Sequence, residues 1–144
     1  MFKKIAVAFD DSPEAERAFR FALELAKFAS AELCVITVIE EFPAYIGYVS
    51  ATAPEVTRLL VDERRSFYEN LQAKAKLHAA EAGVSISTEL AEGGEVATIV
   101  SVVYRFNPDV LIVGLHRHET DLRIFGGTVH QLAMHVKCDI LGVH

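Results

Sequence analysis

The sequence has no tryptophan, only two cysteines and no long apolar run. Cys34 and Cys138 form no CxxC pair, so their spacing excludes the common dithiol redox and metal motifs. No apolar run approaches the roughly 18–20 residues that a bilayer span needs. The first residues also lack the apolar region and cleavage site of a secretory signal. We therefore expect a cytoplasmic protein without a membrane partner, in which both cysteines are small core residues.

Basic residues are the minority among the charged side chains. The chain has 14 Lys and Arg against 20 Asp and Glu, and its net charge is −6. A general nucleic-acid binder needs a basic face, so this balance argues against a nucleic-acid partner. The length of 144 residues, with 51% apolar and 24% charged residues, is typical of one globular domain and excludes a disordered chain. We expect a single domain over residues 1–144.

Five apolar runs alternate with helical patterns along the chain. Ser12 and Pro13 are suited to begin the first helix, and Gly83 is suited to end a long helix that starts near Glu55. Helices between strands require parallel pairing, so the order predicts an α/β fold, an open parallel five-stranded sheet with helices on both faces. The predicted strands are residues 5–9, 33–39, 85–90, 110–113 and 140–143.

Two segments of the predicted fold differ from the others in their residue pattern. The polar-to-apolar alternation of residues 85–90 favours an edge strand. Residues 40–54 contain Pro43, Gly47 and Pro54, so we expect an irregular stretch. Its apolar side chains predict that it folds onto the body, a partner chain or a ligand.

The residues from Gly114 to Thr128 form the strongest candidate site. In sheets of this kind ligands bind outside the carboxyl ends of the strands, and Gly114 follows a predicted buried strand directly. Gly127 and Thr128 then open a helix, whose first N–H groups can bind a phosphate. Neither a P-loop nor a GxGxxG fingerprint is present. The glycines could equally serve only as turn residues.

Five segments of the sequence carry a family resemblance through their order and spacing, and they are residues 5–13, 38–40, 93–94, 109–114 and 138–143. Together they resemble the universal stress protein family related to bacterial UspA, and the resemblance covers essentially the whole chain. It implies an adenine nucleotide alpha hydrolase-like, Rossmann-like fold and a homodimer that pairs through the C-terminal strand. An edge strand near the end of the chain would also invite such pairing through its unpaired backbone groups.

Family members that bind ATP have the motif G-x2-G-x9-G-[S/T], which this chain matches in part. Gly114 is the first glycine, Gly127 and Thr128 close the motif at the same spacing, and Arg117 replaces the second glycine. The arginine side chain could fill the pocket, or it could pair with phosphate oxygens. The preserved spacing favours retained binding of ATP, with or without Mg²⁺.

The resemblance implies a role for each pocket residue. Asp10 would accept hydrogen bonds from the ribose hydroxyls, although it could instead be only a turn residue before Ser12. The adenine would lie against Ala8 and the backbone of Val38. The remaining positions line the ribose side or hold the phosphates, and they are Val113, Gly114, Arg117, Gly127, Thr128, Val129 and His130.

No nucleophile, base and orienting group occur together in the sequence, so we predict no enzyme, and any ATP hydrolysis would be slow and incidental. His116 and His118, with Glu119 and Asp121, lie in one polar stretch without a second anchored ligand set, so we predict no metal site. The sequence thus predicts a homodimeric domain that binds an adenine nucleotide in a sensing or regulatory role. The alternative is a dimeric interaction protein of the same family that binds no nucleotide.

Overall fold

A computed structural model describes residues 1–116 and 127–144. Five parallel strands form one sheet in the order β3-β2-β1-β4-β5. This confirms the predicted open parallel sheet, and it places β3 and β5 at the two edges. The strands are β1 (Lys4–Ala8), β2 (Glu32–Ile39), β3 (Ile86–Glu92), β4 (Val110–Gly114) and β5 (Asp139–Val143).

Helices cover both faces of the sheet, as predicted. The first face packs against α1 and α3 and forms a hydrophobic cluster with them. Phe19 of α1, Ala75 of α3 and Val7 of β1 belong to this cluster. The second face packs against α4 and α5, through Ile99 and Leu132. Alternate residues of one strand therefore enter different clusters, which explains the continuous apolar runs. The helices are α1 (Pro13–Ala29), α2 (Tyr45–Thr52), α3 (Pro54–Glu81), α4 (Glu95–Phe106) and α5 (Thr128–His135).

The predicted helix signals act as expected. The Ser12 hydroxyl accepts a hydrogen bond from the Ala15 N–H at 3.1 Å, and Pro13 is the first residue of α1. Gly83 follows α3 with a φ of +72°, a conformation that glycine adopts without strain. These two signals fix where α1 begins and where the chain turns towards β3.

The predicted irregular stretch at residues 40–54 is wrong in part, because residues 45–52 form α2. Pro43 precedes this helix and Pro54 begins α3, so the prolines bound the two helices instead of preventing them. Gly47 lies inside α2 and donates its N–H to the Ala44 carbonyl at 3.1 Å. The helix packs against α3 and buries none of its residues.

Both cysteines are free thiols, Cys34 buried in β2 and Cys138 half-buried just before β5. Burial is the main reason that the pKa of each thiol is raised. The core role is confirmed for Cys34 and only partly for Cys138. Within the described ranges, no helix has the length and hydropathy to cross a bilayer.

The strand order locates the point where the direction of chain winding reverses. From β1 the chain moves outwards through β2 to β3, and it then returns to the opposite side of β1 to form β4 and β5. The carboxyl ends of β1 and β4, at Ala8 and Gly114, therefore lie side by side with diverging connections. A crevice is expected outside these two strand ends.

Candidate functional site

A cavity of about 610 Å³ lies outside the carboxyl ends of β1 and β4. Its volume is within the range of small-molecule sites. It is lined by residues from the ends of β1, β2 and β4 and from the starts of α1, α4 and α5, together with one residue of α3. The lining residues are Ala8, Phe9, Asp10, Asp11, Ser12, Ala15, Ile36, Val38, Glu40, Tyr68, Glu95, Ile99, Val113, Gly114, Leu115, His116, Gly127, Thr128, Val129 and Leu132.

The structure brings most of the predicted site residues together in this cavity. Eight of the ten line it, namely Ala8, Asp10, Val38, Val113, Gly114, Gly127, Thr128 and Val129. His130 is exposed on α5 and does not belong to the lining. Arg117 lies outside the described residues, as do His118, Glu119 and Asp121 of the possible metal cluster. The ligand contacts assigned to these residues stay predictions.

Gly114 lies where β4 meets the first turn of α1. A Cβ atom at this position would lie 2.5 Å from the Glu14 carbonyl carbon, 2.6 Å from its oxygen and 2.8 Å from the Ala15 nitrogen. All three are backbone atoms, so no side-chain rotation relieves the overlap. The glycine therefore permits close packing of strand against helix, a reason that the sequence analysis did not identify.

Asp10 has a structural role in addition to its position in the cavity. Its Oδ1 accepts a hydrogen bond from the Ser12 N–H at 2.8 Å, which forms the turn that leads into α1. The turn interpretation of Asp10 is confirmed. The side chain is exposed and lines the cavity, and a carboxylate in this turn retains further acceptor capacity.

The starts of α4 and α5 meet across one side of the cavity. The Thr128 hydroxyl donates a hydrogen bond to Glu95 Oε2 at 3.3 Å. The Glu95 side chain is half-buried, and burial raises the pKa of its carboxyl group, with smaller contributions from the charges of Glu40 and Asp10. The hydrogen bond from Thr128 and the charge of His116 act in the opposite direction. Glu95 is thus a carboxylate in an unfavourable electrostatic setting.

The predicted site residues leave out several polar lining residues, among them Glu40, Tyr68 and Glu95. Glu40 follows β2 directly, and Glu95 follows the Gly93-Gly94 turn after β3. The rule that ligands bind at strand carboxyl ends could have found both of them. Tyr68 comes from the middle of α3, where no sequence signal marks it. Burial raises the pKa of the Tyr68 hydroxyl.

The lining separates into an apolar floor and a polar rim. Ile36, Val38, Ile99, Val113 and Leu132 form the floor, and these five residues are suited to a flat apolar group. The rim carries hydrogen-bonding and acidic side chains, which are Asp10, Asp11, Ser12, Glu40, Tyr68, Glu95, His116 and Thr128.

His116 on the rim contacts α1, and its Nδ1 lies 3.2 Å from Glu14 Oε2. For residues 1–116 and 127–144, no three His, Cys, Asp or Glu side chains are arranged to hold a metal ion. The described side chains of this rim offer hydrogen-bond donors, hydrogen-bond acceptors and negative charge.

A doubly wound parallel α/β sheet with a cavity at its switch point defines a class of ligand-binding domains. The model of the universal stress protein family matches residues 1–144. A curated relative named for that family, from Staphylococcus haemolyticus, is 30% identical, and the match covers 99% of this chain and 84% of the relative. The chain belongs to the universal stress protein family.

Solved structures of family members have the same fold. A universal stress protein in complex with cAMP has a TM-score of 0.68 and 23% identity, over 99% of this chain and 97% of the other. A family protein of Arabidopsis thaliana with AMP bound has a TM-score of 0.69 and 20% identity, over 98% and 90%. At these identities the likeness establishes the shared fold.

Proposed function

We propose that the cavity binds an adenine nucleotide and that the bound nucleotide regulates the protein. One observation carries this proposal. Eight of the predicted site residues, from four separate segments of the sequence, line a single cavity. That cavity lies at the switch point, where doubly wound sheets bind their ligands.

The lining is chemically suited to the three parts of a nucleotide. The apolar floor formed by Ile36, Val38, Ile99, Val113 and Leu132 would accept the flat adenine ring. Asp10 would accept hydrogen bonds from the ribose hydroxyls. The phosphates would approach the start of α5, where the first N–H groups have no partner within the helix. ATP, with or without Mg²⁺, is the form that the partial motif predicts.

The family comparisons agree with this ligand class. Two proteins of the same fold are described with cAMP and with AMP, and both ligands contain adenine, ribose and phosphate. We expect binding without rapid turnover because the sequence offers no set of nucleophile, base and orienting group. A ligand that is bound and only slowly consumed is suited to sensing.

A thermal shift experiment tests the proposal directly. Adding millimolar AMP or ATP should raise the melting temperature, since a ligand that binds only the folded state stabilises it. The stabilisation is about 2.7 kcal/mol when the ligand concentration is 100 times its dissociation constant. Inorganic phosphate and a guanine nucleotide at the same concentration are the controls, and both should give smaller shifts. No shift with any adenine nucleotide would favour the alternative, a dimeric interaction protein. A shift seen only in the Arg117→Gly variant would assign the obstruction to that side chain.

We also propose a homodimer that forms through β5. This strand lies at the edge of the sheet, and its Ile140, Leu141 and Val143 are only half-buried. An edge strand has unpaired backbone groups that can extend the sheet into a second copy. Sedimentation at micromolar concentration should give the mass of a dimer, and a monomer at that concentration would contradict this proposal.

A further inference from the structure

The side chain predicted to bind phosphate already donates to a carboxylate. Thr128 is the first residue of α5, and Glu95 is the first residue of α4. The Thr128 hydroxyl donates to Glu95 Oε2 at 3.3 Å, and both residues line the cavity. A hydroxyl has one proton to donate, so it cannot donate to Glu95 and to a phosphate oxygen at the same time. A phosphate at this helix start therefore has to displace that contact or bind through other donors.

The charges around Glu95 add to this conflict. Its neighbours from other elements are Glu40 after β2, Asp10 after β1 and His116 after β4. Two of these three are acidic, and His116 is in contact with Glu14 at 3.2 Å. Glu95 is half-buried, so water screens its charge less than that of an exposed carboxylate. An anionic ligand at the start of α5 thus meets a carboxylate at short range.

We infer that Glu95 is a specificity-determining residue, which selects adenine ligands by the negative charge of their phosphate groups. This inference rests on the proposed function and names the form of ligand that the cavity prefers. Repulsion by a fixed carboxylate grows with the charge of the ligand. The cavity therefore prefers adenosine monophosphates, including cyclic ones, over a triphosphate that has no accompanying cation.

The same geometry explains why the preference is for low charge and not against phosphate altogether. The first N–H groups of α5 and of α4 have no acceptor within their own helix, and both helix starts carry partial positive charge. This attraction falls off beyond the first turn and so acts mainly on the phosphate group that lies there, while the repulsion from Glu95 also acts on each further phosphate group. The two effects together favour a ligand with one phosphate group.

The test compares the wild type with Glu95→Gln and with Glu63→Gln. Glutamine keeps the size of the side chain and still accepts a hydrogen bond from Thr128. Glu63 is exposed on α3 and lies outside the cavity lining, so its variant makes the same change in net charge elsewhere. Isothermal titration calorimetry in the presence of a chelator measures the affinity for adenosine, AMP and ATP.

We expect Glu95→Gln to raise the affinity for ATP roughly tenfold, which corresponds to about 1.4 kcal/mol. The affinity for AMP should rise less, and that for adenosine should stay unchanged. Glu63→Gln should match the wild type for all three ligands. This pattern would not arise from a general loss of structure, because the expected change is a gain.

Two results would overturn the inference and leave the proposed function in place. One is equal affinity for ATP in the wild type and Glu95→Gln while both bind AMP. The other is weaker ATP binding in Glu95→Gln when Mg²⁺ replaces the chelator, which would assign Glu95 to holding a cation. If neither protein binds adenosine, AMP or ATP, the proposed function is wrong and the inference fails with it.

Discussion

Replacing Gly114 by alanine is expected to lower the free energy of unfolding by about 1–3 kcal/mol, the usual cost of inserting atoms into a packed site. The added Cβ atom would lie 2.5 Å from the Glu14 carbonyl carbon. Because the atoms it meets belong to the backbone of α1, the strand and the helix must move apart. Denaturation with urea, monitored by circular dichroism, measures the loss.

Gly127→Ala is the matched control for that substitution. Among the described residues no atom lies within 4 Å of a Cβ at Gly127, and its φ of −70° suits any residue. Gly127 is the N-cap of α5, where alanine is less favourable than glycine, so we expect a loss of about 0.5–1 kcal/mol that comes from helix capping and not from overlap. This loss should be smaller than that of Gly114→Ala. Equal stability of Gly114→Ala and Gly127→Ala would contradict the packing explanation for Gly114.

Replacing Phe19 by alanine should have the largest effect on stability, a loss of about 3–5 kcal/mol. Phe19 has no exposed surface, and its ring centroid lies 4.9 Å from that of Phe9. Removing the ring leaves a cavity beneath Phe9, which itself lines the candidate site. Urea denaturation measures the free energy of unfolding, and nucleotide affinity should decline as well because Phe9 loses its support.

Phe28→Ala on the same helix is the control for Phe19→Ala. Phe28 is 91% exposed, so its truncation removes almost no buried surface, and we expect a change of about 0.5 kcal/mol or less. The difference in the free energy of unfolding between the two variants separates the effect of burial from that of helix propensity, since both replace phenylalanine by alanine within α1. Similar losses for both variants would show that the contact between α1 and the sheet is not the main source of stability.

The fold was predictable because the sequence patterns that indicate each helix and strand agree with the burial of that element along most of the chain. The run around Val35 is apolar on both faces, and the structure buries it between two helical layers. The alternation in β3 predicted an edge strand, and β3 lies at an edge. Ser12 and Gly83 marked helix ends because each satisfies a specific backbone requirement there.

The site was predictable in position but not in detail. Strand ends are visible in the sequence, so Ala8, Val38 and Gly114 could be assigned to one edge of the sheet. Tyr68 enters the cavity from α3, and no periodic signal shows which turn of a helix of 28 residues passes a strand end. The contact between Thr128 and Glu95 joins positions 33 residues apart, and only the packing of α4 beside α5 brings them together.

Two other features had competing signals. Residues 40–54 contain three residues that disfavour helices, yet Pro43 and Pro54 lie at helix boundaries and Gly47 is accommodated inside α2. Gly114 was predicted to belong to the ligand site, whereas the structure also requires a glycine there for contact with Glu14 and Ala15. In both cases a correct residue signal had more than one structural explanation.

The central claim is that an adenine nucleotide binds at the switch point, and an NMR titration with AMP tests it most directly. The account predicts that the amide signals of Ala8, Val38, Val113 and Thr128 shift saturably. The amide signals of Ser30 and Gly83, which precede the amino ends of β2 and β3, should not shift. Saturable shifts confined to the region of Ser30 and Gly83, or no shifts at millimolar AMP, would contradict it.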